Sequence, residues 1–341
     1  MLISAAMMIA PNVARTMRRR DFIRLVGGPP ALWLFAAQAA GRPLIGFLGP
    51  SSSSAFSPYV GAFHQRLREG GFIEGETIEI EYRWANDQLD RLPGLAADLV
   101  SHPIQVLVTA GATAAALAAK GATSTIPVVF SLGSDPVKFG LVSSMNRPGG
   151  NVTGVSFLSN SLVPKQLELL EELVPAARVV GLLANPANPN AESDIAEARA
   201  AATALRRRLH VTEIHSEDEL DQTFENLHAA HADALLVLPD PLFIRARKHL
   251  ATLAVNWRLP AVYSNSLYAQ DGGLLSYGAN VADAHRQVGL YVARILKGTK
   301  PADLPVFQST KLELVINLKG AKEINLDVPA ALISRSDEVI E

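Results

Sequence analysis

Six short loops, each following an apolar run, hold the residue types that could grip a small polar ligand. They are Gly49-Pro50-Ser51-Ser52-Ser53-Ser54, Thr109-Ala110-Gly111-Ala112-Thr113, Gly133-Ser134-Asp135-Pro136, Asn185-Pro186-Ala187-Asn188, Pro239-Asp240-Pro241 and Ser264-Asn265-Ser266. Each places hydroxyl, amide or carboxylate side chains where the next helix begins, and such residues cap helices generically. Beyond the carboxyl ends of parallel strands the same positions also bind ligands, because helix N-termini there offer free N–H groups and a positive dipole to an anion. For any one loop both readings stand; six such loops together favour a binding site. The turn at Gly111 is the sharpest candidate for a carboxylate, with the Thr109 and Thr113 hydroxyls beside the backbone donors.

Catalytic patterns are absent. No phosphate-binding G-x-x-x-x-G-K-[ST], no G-x-G-x-x-G after the first strand and no H-E-x-x-H occurs. Gly154-Val155-Ser156 begins a nucleophile-elbow string, but Leu158 stands where its last glycine belongs. The chain has no cysteine, which excludes thiol catalysis, disulfides and a lipidated cysteine. His228 and His231 with Asp233 form the one close histidine pair; without a further nearby ligand they read as a solvated helix end, and neither metal nor cofactor is expected. Aromatic residues make up only 6% of the chain, yet Tyr263, Tyr268 and Tyr277 fall in one stretch, and Phe56 and Tyr59 follow the serine loop. They either line a cleft mouth or pack a domain junction.

The elements that must position these loops are legible as a repeating pattern. Apolar runs at 44–48, 106–108, 128–130, 152–155, 179–183, 235–238 and 261–263 suit parallel strands buried on both faces. Residues 78–82 alternate instead, as an edge strand would. Between them, Tyr59, Phe63 and Leu67, then Leu92, Leu95, Ala96 and Leu99, then Leu167, Leu170 and Leu173, recur at helical spacing. This alternation predicts an α/β fold of two doubly wound parallel-sheet lobes. Crossings between lobes are expected near Arg147-Pro148-Gly149-Gly150-Asn151, at Asp271-Gly272-Gly273 and from Lys300 to Pro305. The first lobe would then comprise 43–155 plus 274–303, the second 156–272 plus 306–335. With 31 Lys and Arg against 33 Asp and Glu and no basic stripe, no nucleic-acid partner is expected.

Ahead of the first strand, Arg18-Arg19-Arg20, an apolar run and Ala37-Gln38-Ala39 form an export signal. The paired arginines followed by Phe22 and Ile23 make it twin-arginine-like, with cleavage after Ala39 and Met17 as the true start. The apolar run is too short, and too broken by Gly27-Gly28-Pro29-Pro30, for stable membrane insertion.

Several longer strings resemble the substrate-binding protein family of ABC transporters that includes tryptophan- and tyrosine-type binding proteins. They are Glu81-Tyr82-Arg83-Trp84, Ile126-Pro127-Val128-Val129-Phe130, the run from Ser134 to Val142, the run from Asn146 to Gly154, and Glu313-Leu314-Val315-Ile316-Asn317. The resemblance spans about 43–330. It implies a type I periplasmic binding fold, with three hinge crossings and a cleft that closes on its ligand, and as partners a small-molecule ligand, an ABC permease and its ATPase. The absence of cysteine departs from lipid-anchored relatives and implies a freely diffusing protein in a two-membrane envelope, and a periplasmic monomer is expected. The cleft residues then expected are Ser52, Ser53, Thr109, Gly111, Ala112, Thr113, Ser134, Asp135, Asn185, Asn188, Asp240, Tyr263 and Tyr277. In them Asp135 and Asp240 would meet an ammonium group and the Gly111 turn a carboxylate. Two rival readings remain: a binding module serving a sensor, and an α/β enzyme acting on a small carboxylate.

Overall fold

The computed structural model describes residues 41–157 and 159–341. The export signal expected at 1–39 lies outside the described residues. Thirteen strands form two sheets. The first holds β1 (Leu44–Gly49), β2 (Glu79–Trp84), β3 (Val106–Thr109), β4 (Val128–Leu132), β5 (Val152–Ser156) and β11 (Phe307–Gln308), in the order β11-β5-β4-β3-β1-β2 and all parallel. The second holds β6 (Val179–Ala184), β7 (Arg208–Glu213), β8 (Ala234–Val237), β9 (Ala261–Tyr263), β10 (Leu275–Ala279), β12 (Leu312–Asn317) and β13 (Glu338–Ile340), in the order β13-β12-β10-β9-β8-β6-β7. Only the β10–β12 pair is antiparallel.

The burial of each strand follows its sequence. β3, β4, β6 and β8 are buried along their whole length, as continuous apolar runs require. The alternating β2 lies at a sheet edge, half-exposed. Helices cover both faces of each sheet. In the first lobe Phe56, Tyr59, Phe63 and Leu67 of the helix Ser53–Glu69 pack with the helix Val281–Leu296 on one face, and Leu92, Ala96 and Leu99 of the helix Leu92–Ser101 on the other. In the second, Leu167, Leu170 and Leu173 face one side of the sheet, while Phe224, Phe243 and Leu250 face the other.

The chain passes between the sheets three times. It leaves the first after β5, returns after β10 into the helix Val281–Leu296, and leaves again after β11 toward β12. Two of these positions differ from the sequence reading. The strand expected to open the return segment at 274 pairs with β9 and β12, so it belongs to the second sheet and the chain crosses after Ala279. At the last crossing Phe307 and Gln308 still pair with β5, so the first sheet extends past 303. A two-residue strand has no periodicity to detect, and β10 was claimed by its neighbours in space.

In each sheet the strand order reverses once in a way that opens a crevice at the carboxyl ends, between β1 and β3 in the first and between β6 and β8 in the second. Such switch points are where open α/β sheets bind ligands. The loops after β3, β6 and β8 sit there.

Candidate functional site

The crevices of the two sheets face one cleft with about 730 Å³ of atom-free space, its mouth included. Apolar walls come from Phe56, Tyr59, Leu89 and Val281 of the first lobe, from Ile244 and the loop prolines of the second, and from Phe157 at the first crossing. Polar groups converge from Gly111, Ala112 and Thr113 on one side and from Asn188, Asn190, Asp240, Ser264 and Asn265 on the other.

On the first-lobe side the chain turns at Gly111, whose φ of +73° is in the left-handed region that glycine tolerates without strain. A Cβ at this position would come within 2.8 Å of the Phe56 ring, so the turn and the aromatic wall are built against each other. The helix Thr113–Ala122 begins immediately after it. Its N-cap is Ala112, which has no side chain able to accept from the first turn. The N–H groups there keep their donors and their positive dipole for whatever enters the cleft. Ser134 lies just behind: its Oγ and Thr113 Oγ1 are 2.6 Å apart.

Asp240 dominates the opposite side. It is buried, and its carboxylate accepts from Leu242 N at 2.8 Å, Asn185 Nδ2 at 3.1 Å and Asn188 Nδ2 at 2.8 Å. Burial pushes its pKa up to about 6, against the pull of these three donors and with Asp87 adding in the same direction. Asp240 is the one carboxylate lining the cleft among the described residues, and no Lys or Arg lines it. A buried carboxylate without a cationic partner, facing an otherwise uncharged and largely apolar space, is stabilised either by protonation or by a cation brought to it. Asn190 Nδ2 reaches across to Thr113 Oγ1 at 3.0 Å, so the two lobes are in contact through the cleft.

Of the residues read from the sequence, Gly111, Ala112, Thr113, Asn188 and Asp240 line the cleft, and Ser134 and Asn185 support them from behind. The structure separates the others from it. Thr109 is fully buried within β3, its hydroxyl without a hydrogen-bond partner among the described residues, and does not line the cleft. Thr113 spends its hydroxyl on Ser134 and Asn190, so the anion-binding capacity of this turn is that of its backbone. Asp135 is exposed and accepts from Val137 N at 2.8 Å, closing a local turn. Ser52 accepts from Ala55 N as a helix cap, and Ser53 is exposed on the helix it opens. Tyr263 is fully buried, stacked on Tyr268 at 4.5 Å, while Tyr277 packs on the second-lobe core and its carbonyl accepts from Gln166. These tyrosines pack the interior of the second lobe, neither at the cleft mouth nor at the junction of the lobes, which were the two readings of them.

The sequence reading left out Asn190, Phe157, Ile244 and Val281. The Asn-rich loop after β6 carried a signal for Asn190, two residues beyond the segment singled out. Nothing in the sequence distinguishes Phe157, Ile244 or Val281 from core residues.

The fold of two α/β lobes linked by three crossings around a cleft is shared with a leucine binding protein from Thermotoga maritima (12% identity, TM-score 0.60, covering 83% of this chain and 98% of that one). Residues 48–340 match the family described as ABC transporter substrate binding protein, and the chain belongs to it. It is 27% identical over 265 residues to a tyrosine-binding protein of Clostridioides difficile (strain R20291), covering 77% of this chain and 75% of that one. A crystal structure of an ABC domain in complex with L-Trp from Streptococcus pneumoniae matches at 26% identity and a TM-score of 0.77, covering 87% of this chain and all of that one. No helix among the described residues is long and apolar enough to cross a membrane.

Proposed function

We propose that this protein is the extracytoplasmic binding component of an ABC importer and captures an amino acid with an aromatic or large apolar side chain. The observation that carries this reading is the pairing, across one cleft, of an uncapped helix N-terminus with a buried carboxylate. The backbone N–H groups from Ala112 to Ala114, following the Gly111 turn, would receive the α-carboxylate and Asp240 the α-ammonium, while Phe56, Tyr59 and Phe157 enclose the side chain. A second anionic group would meet Asp240 without a compensating cation, so acidic amino acids are disfavoured. The names of the tyrosine- and tryptophan-binding relatives support the same ligand class.

Capture proceeds by hinge closure about the three crossings, binding energy favouring the closed arrangement. The protein is exported through its twin-arginine-like signal, works in the periplasm as a monomer and delivers its ligand to a permease and ATPase.

A thermal-shift series with L-tryptophan, L-tyrosine, L-phenylalanine, L-leucine and L-glutamate tests the assignment, since ligand binding raises the melting temperature by mass action. Tryptamine and indole-3-propionate, which lack the carboxylate and the ammonium respectively, complete the set. The expected result is a clear rise for the aromatic amino acids and little or none for glutamate and the two truncated analogues. A rise with tryptamine or indole-3-propionate equal to that with L-tryptophan would overturn the zwitterion geometry.

A further inference from the structure

Away from the ligand groups, Arg245 and Asp87 make a charged contact between the lobes. Arg245 ends the helix Pro241–Arg245 of the second lobe, and its Nε meets Asp87 of the first. Its Nη1 lies 3.1 Å from Glu217, which is in the second lobe. The three groups differ in burial. Arg245 is 38% exposed and Glu217 30%, but the Asp87 side chain is only 7% exposed. Asp87 is thus the member that depends on its partner for charge compensation. Burial raises its pKa, and a hydrogen bond with Ser51 of its own lobe and the Arg245 charge oppose that shift, Arg245 being the only cation among the described residues that does.

The backbone that presents Asp87 is unusual. Asn86 and Asp87 have φ values of +53° and +65°, two successive left-handed residues that are not glycine. Such conformations persist where the surroundings hold them. Here the loop is tied to the end of β1, with Ala85 N donating to Gly49 O, Asn86 N to Ser51 O and Asp87 N to Pro50 O. The turn is therefore anchored in its own lobe while its carboxylate is aimed out of it. Glu217 does the equivalent for Arg245, holding the guanidinium from within the second lobe. Two residues further along, Leu89 lines the cleft, and the Asp87 charge is felt at Asp240.

We infer that Asp87 and Arg245 form an electrostatic latch that makes or breaks as the lobes close or open, and that it sets how firmly the closed cleft holds its ligand. The inference rests on the reading of this protein as a two-lobed capture protein, and it does not depend on which ligand is captured. The latch is asymmetric. Once broken by separation, Arg245 keeps Glu217 and water, whereas Asp87 returns to solvent. Removing Arg245 leaves Asp87 buried and uncompensated on closure, which penalises the closed state. Removing the Asp87 charge leaves Arg245 satisfied, so its penalty is smaller.

The absence of cysteine allows clean labelling. Ser57→Cys and Glu225→Cys, exposed positions on the two lobes, carry a spin-label pair whose distance reports closure. Four proteins are compared on this background: the unaltered latch, Asp87→Asn, Arg245→Ala and the double variant. Asn is tolerated at a left-handed position, and melting curves establish that each variant folds. With L-tryptophan as probe, Arg245→Ala is expected to raise Kd about 10- to 100-fold, Asp87→Asn less than about fivefold. The double variant should recover most of the loss caused by Arg245→Ala, because no carboxylate is then stranded. A double variant as weak as Arg245→Ala, or Arg245→Ala binding like the parent, overturns the latch. Spin-label distances without any ligand give the second arm: raising salt should shift the parent toward longer distances and leave Asp87→Asn unmoved. An identical salt response in both overturns the latch by itself. Absence of L-tryptophan binding in all four proteins, with the salt difference present, counts against the amino-acid reading and leaves the latch standing.

Discussion

The two lobes use one device, a loop from a buried parallel strand into a helix, and give it opposite polarity. After β3 the N-cap is Ala112, and the first turn of the helix keeps its donors. After β8 the N-cap is Asp240, which satisfies its own helix through Leu242 N and turns its remaining acceptor capacity to the cleft. The first loop therefore favours negative charge and the second positive. The difference lies in one residue type at one cap position, and under the proposed function it is what would let a pair of similar α/β lobes take a dipolar ligand in a single orientation. The supports differ as well. The first loop depends on glycine and close contact with Phe56, the second on two asparagines that hold the carboxylate.

Breaking the second side should have the largest effect. Asp240→Asn retains the capping oxygen but removes the charge, and is expected to weaken an amino-acid ligand by about 2–5 kcal/mol in titration calorimetry. A ligand without an ammonium group should lose far less. Equal losses for both would reduce Asp240 to a helix cap and remove the polarity contrast.

On the first side, Gly111→Ala forces a side chain into the left-handed region and against Phe56. We expect a loss of stability of about 1–3 kcal/mol in denaturant unfolding, together with weakened binding of aromatic ligands as the ring is displaced. Unchanged binding would separate the turn from the aromatic wall.

The pH response sharpens the comparison further. The folded-state pKa of Asp240, about 6, is above its ordinary value of 3.8. Its contribution to stability is thus complete below 3.8 and lost as pH rises through 6. His285, buried on the inner side of the helix Val281–Leu296 and stacked on Tyr59, is shifted the other way, to about 4, by burial. Its contribution is present above 6.5 and lost as pH falls toward 4. The two oppose each other in the same window, each worth about 2–3 kcal/mol in full. Ligand-free Asp240→Asn should therefore lose stability more steeply than the parent between pH 6.5 and 4. Affinity moves in the opposite sense, because an ammonium ligand needs ionised Asp240: from pH 7 to 5 it should fall about tenfold in the parent. Parallel pH profiles for parent and variant would exclude a titrating Asp240.

The smallest effect is expected at Thr113. Its hydroxyl bonds Ser134 and Asn190, neither of them charged, so Thr113→Val should cost about 0.5–1.5 kcal/mol in affinity by calorimetry. A loss several-fold larger would restore the hydroxyl to direct contact with a ligand carboxylate.

What could be read in advance was whatever depends on local periodicity. Continuous apolar runs declared β3, β4, β6 and β8, alternation declared the edge strand β2, and the loops after β3 and β8 stood out because Gly111 and Asp240 are residues with a local backbone or capping role. The misplacements have a common physical origin. Tyr263 and Tyr277 differ from Tyr59 in what packs against them, and Asp135 and Asp240 both accept from a backbone N–H two residues on, but Asp135 closes a turn in solvent whereas Asp240 caps a helix in a loop that meets the other lobe.

The amino-acid sequence by itself therefore determined the α/β class, the succession of strands and the types of residue available at the strand ends, since these follow from the 2- and 3.6-residue periods and from cap chemistry within a few residues. Tertiary structure alone decided which of those ends share the cleft, that β10 stays with the second sheet so that the chain returns to the first only after it, that Asn190 reaches Thr113 from 77 residues away, and that Arg245 meets Asp87. Such contacts join groups far apart along the chain, and their energies depend on burial and mutual orientation, quantities that exist only once the two lobes have folded and met.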